Sequence, residues 1–304
     1  MNSSIRRVST FSIVARDSVT GDLGVAVASK FLAVGAVVPW VMGGLGAVAT
    51  QSYANTSFGP RALELMGAGW SLDDIAAEFE ANDTEYQQRQ YGLVNSSGES
   101  FSFTGSDCHA WAGGRAARAE RGMDGSMGTG YAVQGNLLAG AHVVDAIAET
   151  FEQDSSLAFP ERLLAALLAG DRAGGDARGR QSAALYVARV KGGYAGFNDR
   201  MIDLRVDDHG DPIPELQRLL SIHRLLFERP NTANLIPLEG DIALRLERVL
   251  FKAGFLKIEP GSQWREESQQ ALLALAGVEN LEERMVEAGK IDPVVLEYLE
   301  RKFQ

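Results

Sequence analysis

Thr10 and Ser12 in one apolar run, and Ser29 with Lys30 at the end of the next, place two hydroxyl types and an amine where nucleophilic chemistry is conceivable. A threonine hydroxyl is a weak nucleophile. It gains strength as the first residue of a chain, because its own α-amine can accept the proton. That amine titrates near ~7.7–8.0, close to working pH, and a nearby ammonium lowers the value further. If the two runs pair as a hairpin, Lys30 ends the strand beside Thr10 and its ammonium lies near the hydroxyl. The alternative is a threonine that simply suits a strand, with a solvated lysine.

A second candidate is GGDARGRQS at residues 174–182, which runs straight into an apolar segment. Glycines let backbone N–H groups approach a ligand, and loops with placed polar groups beside a sheet commonly bind. Asp176, Arg178, Gln181 and Ser182 are what such a loop offers. Its guanidinium would hold a substrate carboxylate in a bidentate pair and so position a substrate near Thr10. Alternatively, Asp176 and Arg178 tie the loop to itself. Third, DLRVDDH at 203–209 alternates Asp203, Arg205 and Asp207 onto one face and ends in His209. His109, His142 and His223 show no paired ligand spacing, so no metal is expected, and an ion-paired strand end is preferred. GLGAVA at 44–49 imitates a dinucleotide fingerprint, but it leads into a strand and offers no helix N-terminus to a pyrophosphate. No cofactor is expected. Thr50, Gln51, Asn55, Gln134 and Asn136 end apolar runs, where turn residues are common. Their clustering makes Thr50, Gln51, Asn55 and Asn136 candidates for substrate contact.

These groups need a scaffold. Residues 10–15 and 23–28 predict a hairpin, with Thr10, Ser12 and Val14 on one face and Phe11, Ile13 and Ala15 on the other. Strands are expected at 35–41, 45–51, 90–94, 100–103, 131–134, 183–190 and 201–206. Helices are expected at 60–66, 71–80, 142–151, 160–169 and 212–227. That order suits two packed sheets covered by helices on both outer faces. Pro230 and Pro237 break the chain near a boundary, and helices at 241–253, 266–276 and 293–302 then form a small all-α unit. The acidic excess, 40 carboxylates against 29 basic residues for a formal charge of −11, repels phosphate backbones, so nucleic acid is not an expected partner. Residues 31–48 are apolar but interrupted by Pro39 and several glycines, and no membrane span or signal peptide is expected. The single cysteine, Cys108, excludes an intramolecular disulfide and fits a reducing compartment. The cytoplasm is the expected location.

Six motifs in order, TFSIVARD from Thr10, GVAVASKFLAVGAVVPW from Gly24, GAVATQSYAN from Gly46, YAVQGN from Tyr131, GGDARGRQSAAL from Gly174 and DLRVDDH from Asp203, resemble the domain-of-unknown-function family numbered 1028. That family is grouped with the N-terminal-nucleophile (Ntn) hydrolases, and the resemblance covers residues 10–226. It implies a four-layer αββα sandwich and hydrolysis of amide bonds by an N-terminal Thr, Ser or Cys. Thr10 would be the nucleophile, Lys30 its electrostatic partner and Ser29 its neighbour. This chemistry requires that the nine residues before Thr10 be removed or never made. The tail, residues 238–304, resembles a peptidoglycan-binding domain through Gly240-Asp241, Leu246, Leu250, Gly254-Phe255, Trp264 and Leu272.

The expected organisation is therefore an extension at 1–9, an Ntn-hydrolase-like domain at 10–228, a linker at 229–237 and a helical domain at 238–304. The expected function is an amidohydrolase acting on a small amide or peptide-like substrate. A non-catalytic ligand-binding protein on the same fold and a wall-associated scaffold working through its tail are the alternatives. A peptidoglycan fragment and a second copy of the chain are the other partners considered.

Overall fold

The computed structural model describes residues 10–120 and 128–303; the expected extension at 1–9 lies outside them. The chain forms two compact units that divide between Arg218 and Leu219.

In the first unit, β1 (Thr10–Arg16) and β2 (Leu23–Ser29) pair as the expected hairpin. After them come β3 (Pro39–Met42), β4 (Gly46–Ser52), α1 (Phe58–Gly67), α2 (Leu72–Asn82), β5 (Arg89–Asn95), β6 (Ser100–Thr104), β7 (Gly113–Ala117) and β8 (Gly130–Asn136). Then follow α3 (Ala141–Gln153), α4 (Phe159–Arg172), β9 (Ser182–Ala188) and β10 (Arg200–Val206), and the division between the units falls within the next helix, α5 (Pro212–Phe227). One sheet has six strands in the order β10-β9-β2-β1-β8-β7, and the other has four in the order β3-β4-β5-β6. All pairings are antiparallel.

The alternation along β1 sorts its residues between layers. Val14 joins Val25, Val27, Val41, Ala47 and Ala49 in the core between the two sheets. Phe11 points the other way, against Gly170 and Gly175 at the end of α4. On the far side of the second sheet, α1 and α2 bury Phe58, Leu63, Ile75 and Phe79 against Tyr91 and Leu93. The result is the αββα sandwich expected from the strand and helix order. Ser71 caps α2 by accepting from the Asp74 N–H, with Asp73 and Asp74 in the first turn to meet the helix dipole.

Two segments differ from their sequence pattern. Residues 35–41 are not one strand: Val34–Ala36 is a 3-10 turn, and β3 begins only at Pro39. The Ser182 hydroxyl holds the Val34 N–H at 3.1 Å, and Gly35 sits so close to Ala184 that a Cβ there would lie 2.6 Å from the alanine methyl. Conversely, β7 carries the sequence GGRAA, which has no apolar alternation, yet it pairs with β8. At Gly114 a Cβ would lie 2.3 Å from Ser102 Oγ, so the strand is made by close packing rather than by propensity.

The second unit contains α6 (Gly240–Lys252), α7 (Glu266–Glu279) and α8 (Pro293–Lys302). A short ribbon accompanies them, β11 (Ile236–Pro237) paired with β12 (Lys290–Ile291). Leu246, Leu250, Leu272, Leu275, Leu296 and Leu299 form its core. Two buried charges are satisfied inside it. Glu247 accepts from the Gly261 N–H at 2.7 Å, from Arg265 at 2.6 Å and from the Ser268 hydroxyl. Arg284 pairs with Asp292, which also caps α8 through the Val294 N–H.

Candidate functional site

Thr10 is the first residue of β1, an interior strand flanked by β2 and β8, and its register partners are Ser29 and Asn136. All three are buried. The Thr10 hydroxyl donates to Ser29 Oγ at 3.1 Å, because residues opposite one another on antiparallel strands share a face. Lys30 is the next residue and so turns away from that face. Its side chain is exposed, and its ammonium donates to the Arg180 carbonyl at 3.1 Å rather than to the Thr10 hydroxyl.

Beneath Thr10, neutral polar side chains cross between the sheets. Gln51 of β4 donates to the Thr10 carbonyl at 3.3 Å and to Gln90 Oε1 at 2.8 Å. The Ser12 hydroxyl donates to Gln51 Oε1 and accepts from Gln134, both at 2.6 Å. Asn136 donates to Gln90 Oε1 at 2.9 Å, and Gln90 in turn donates to the Gly135 carbonyl at 2.8 Å. Ser12, Gln51, Gln90, Gln134 and Asn136 are all at most 1% exposed. The Gln134 side-chain oxygen Oε1 makes no hydrogen bond among the described residues and rests against Gly92, where a Cβ would lie 2.1 Å from it. Dry polar groups are tolerated when nearly every partner is present, and this cluster binds β1, β4, β5 and β8 into one polar layer.

The loop after α4 meets the same strand end through Asp176, whose side chain is 1% exposed. One carboxylate oxygen accepts the Lys30 N–H at 2.7 Å and Arg178 Nη2 at 2.9 Å; the other accepts the Arg178 N–H at 2.8 Å. Gly174, at φ +115°, turns the chain where a Cβ would strike Ala139. The other expected contacts are engaged elsewhere. Gln181 donates to Asp208 at 3.1 Å, and the Ser182 hydroxyl donates to the Phe31 carbonyl. The Thr50 hydroxyl donates to the Asn55 carbonyl at 3.2 Å, and the Thr50 N–H donates to Val38. The Asn55 side chain donates to Asp83 at 2.9 Å.

The structure thus joins Thr10, Ser29, Gln51 and Asn136 in one bonded group, with Asp176 and Arg178 fastened to the backbone beside it. Gln90 is the member the sequence hid. It opens an expected strand, and its only sequence signal is a polar side chain at an inward position of an otherwise apolar run.

Around this group the charges are structural. The Arg89 guanidinium and Asn55 hold the Asp83 carboxyl down at about 2. Burial pushes the Cys108 thiol up, which suppresses its nucleophilic thiolate. Asp203 pairs with Arg205 at 2.8 Å and with Arg200 at 3.1 Å at the sheet edge. Among the described residues no cluster of three or more metal-ligating side chains occurs, and no helix is long and apolar enough to cross a membrane. A separate cavity of about 650 Å³ is walled by Trp40, Met42, Leu45 and Tyr186 with Arg200 and Arg205; Thr10, Ser29 and Asn136 are not among its lining residues.

Residues 10–216 match the family model described as "Family of unknown function (DUF1028)". The chain belongs to this family. A crystal structure of a DUF1028 protein from Silicibacter pomeroyi is similar at 30% identity and a TM-score of 0.61, covering 77% of this chain and 88% of that one. Residues 226–299 match the model described as "Putative peptidoglycan binding domain". The comparison with curated proteins finds no match. The DUF1028 match begins at Thr10, the residue that also begins β1.

Proposed function

We propose that this DUF1028 protein is an Ntn-type amidohydrolase acting on a small amide or peptide-like substrate, and that its second unit binds a peptidoglycan fragment. The observation that carries the reading is the place of Thr10. It heads an interior strand of an αββα sandwich, with its hydroxyl on Ser29 Oγ at 3.1 Å. Once residues 1–9 are removed, the Thr10 α-amine takes the hydroxyl proton as Oγ1 bonds to the substrate carbonyl carbon. The amine returns that proton to the leaving nitrogen as the C–N bond breaks. Water then cleaves the resulting ester and restores the hydroxyl. Asn136, opposite Thr10 on β8, is the side-chain amide assigned to the oxyanion, toward which it turns from Gln90 Oε1 as the charge develops. The Thr50 N–H is excluded from that role by its bond to the Val38 carbonyl. Ser29 orients the hydroxyl, and Gln51 fixes the backbone that carries it.

Intact mass of the purified chain and hydrolysis of aminoacyl p-nitroanilides and muropeptides test the reading together. A species beginning at Thr10 should turn over one of these probes, and Thr10→Ala in the same mature form should lose about 10³-fold or more. An unprocessed chain that hydrolyses a probe equally well with and without Thr10 would end it.

The cavity beside Trp40 and Tyr186 favours a second reading, a non-catalytic ligand-binding protein. An aromatic-walled space of about 650 Å³ is of the size that small ligands occupy. A chain that keeps Met1 or Asn2 and binds small acids there, without turnover, is the result this alternative requires.

A further inference from the structure

The second unit carries a cavity of about 500 Å³ beside α6 and the end of α8. Arg245, Arg248 and Lys252 of α6 line it at positions i, i+3 and i+7, so they share one face of the helix. Arg245 is held by Glu300 of α8 through two bonds of 2.7 Å, which neutralises its charge and fixes the wall. Arg248 and Lys252 are exposed and make no ion pair among the described residues. Phe251, 47% exposed, and Phe303 supply an apolar side. A cation at a helix C-terminus stabilises the helix by itself, which accounts for Lys252 alone. It does not account for a second unpaired cation next to two phenyl rings around an open cavity, in a chain whose formal charge is −11.

We propose that this cavity binds a free carboxylate, together with the neighbouring apolar side chain, of a cell-wall stem peptide. Arg248 takes the carboxylate through its planar fork, Lys252 adds a second positive charge, and the Phe251 and Phe303 rings cover the apolar group. The inference rests on the second unit's reading as peptidoglycan-binding and adds the atoms and the chemical group recognised.

The test uses the full chain. Co-sedimentation with insoluble peptidoglycan sacculi measures binding, and a synthetic stem pentapeptide competes either as the free acid or with its carboxylates amidated. Arg248→Glu is a surface change that should leave the melting temperature nearly unaltered, whereas Lys252→Glu reverses the cation in the last turn of α6 and should lower it slightly, so binding is read well below both melting temperatures. Each should weaken sacculus binding at least tenfold, and the amidated peptide should compete at least tenfold less well than the acid. Wild-type protein that stays in solution would overturn both the peptidoglycan reading and this site. Wild-type protein that sediments while both variants sediment equally would overturn the site alone, as would equal competition by the acid and amidated peptides.

Discussion

Asp83→Asn should cost stability in a way that pH removes. The Asp83 carboxylate accepts from Arg89 Nε at 2.8 Å, from Arg89 Nη2 at 3.2 Å and from Asn55 at 2.9 Å, and its side chain is only 7% exposed. Those donors, Arg89 foremost, hold its carboxyl at about 2 against an ordinary 3.8. A carboxyl depressed in the folded state contributes fully above its unfolded value and ceases to contribute as pH falls through its folded value. The window is therefore pH 4 down to about 2. At ~1.36 kcal/mol for each pH unit between the two values, the contribution at neutral pH is about 2 kcal/mol. For a unit of this size that lowers the melting temperature by roughly 4–8 °C. The asparagine variant leaves Arg89 with Glu85 at 2.8 Å and the Tyr53 carbonyl at 2.7 Å, so no lone buried cation enlarges the loss. Thermal melts of both proteins between pH 7 and pH 2.5 supply the measurement. A gap of several degrees at pH 7 that narrows toward pH 2.5 is the expected result. No gap at pH 7, or one of constant size throughout, would refute the argument.

Gly92→Ala should destabilise the first unit by ~1–3 kcal/mol in urea titrations, because the new methyl meets Gln134 Oε1 at 2.1 Å. Asp176→Asn should lower the melting temperature as it weakens charged hydrogen bonds to Lys30 and Arg178; Lys30→Met, which leaves that backbone bond intact, should not. Glu247→Leu should cost the second unit ~1–3 kcal/mol, since the buried Ser268 hydroxyl and the Gly261 N–H lose a partner while the partly exposed Arg265 can rehydrate; a transition confined to that unit would appear in calorimetry. A nonspecific protease should cut first among residues 227–234, exposed except at half-buried Pro230, ahead of β11, and mass spectrometry of the fragments locates the cut.

The layered fold was legible because strands and helices announce their buried faces by period. Phe11 and Val14 went to opposite sides of the first sheet as the alternation requires. The strand β7 was not legible, because Gly113 and Gly114 carry no side-chain pattern and are selected for closeness to β6 and Trp111. For the site, register explains both outcomes. Ser29 and Asn136 follow from facing Thr10 across two strand pairs. Lys30 was expected at Thr10 because it ends the strand that pairs with β1, but one residue past Ser29 reverses the side. Gln181 and Ser182 lie next to Asp176 in sequence, yet each bonds to a different segment, Asp208 and Phe31 respectively. Such choices depend on contacts between strands that no local pattern encodes.

The polar layer beneath Thr10 also constrains how this protein can change over generations. Gln51, Gln90, Gln134, Asn136 and Ser12 bond to one another and to the Thr104 hydroxyl and the Thr10 and Gly135 carbonyls. Replacing one with leucine strands the donors and acceptors of its neighbours in a buried space, whereas replacing the group by well-fitted apolar side chains removes the mutual demand of the side chains. The single steps are therefore costlier than the full exchange, and substitutions here are expected to be strongly epistatic. A lineage that has acquired this layer is held in it by the instability of every intermediate, whatever the chemistry above it becomes.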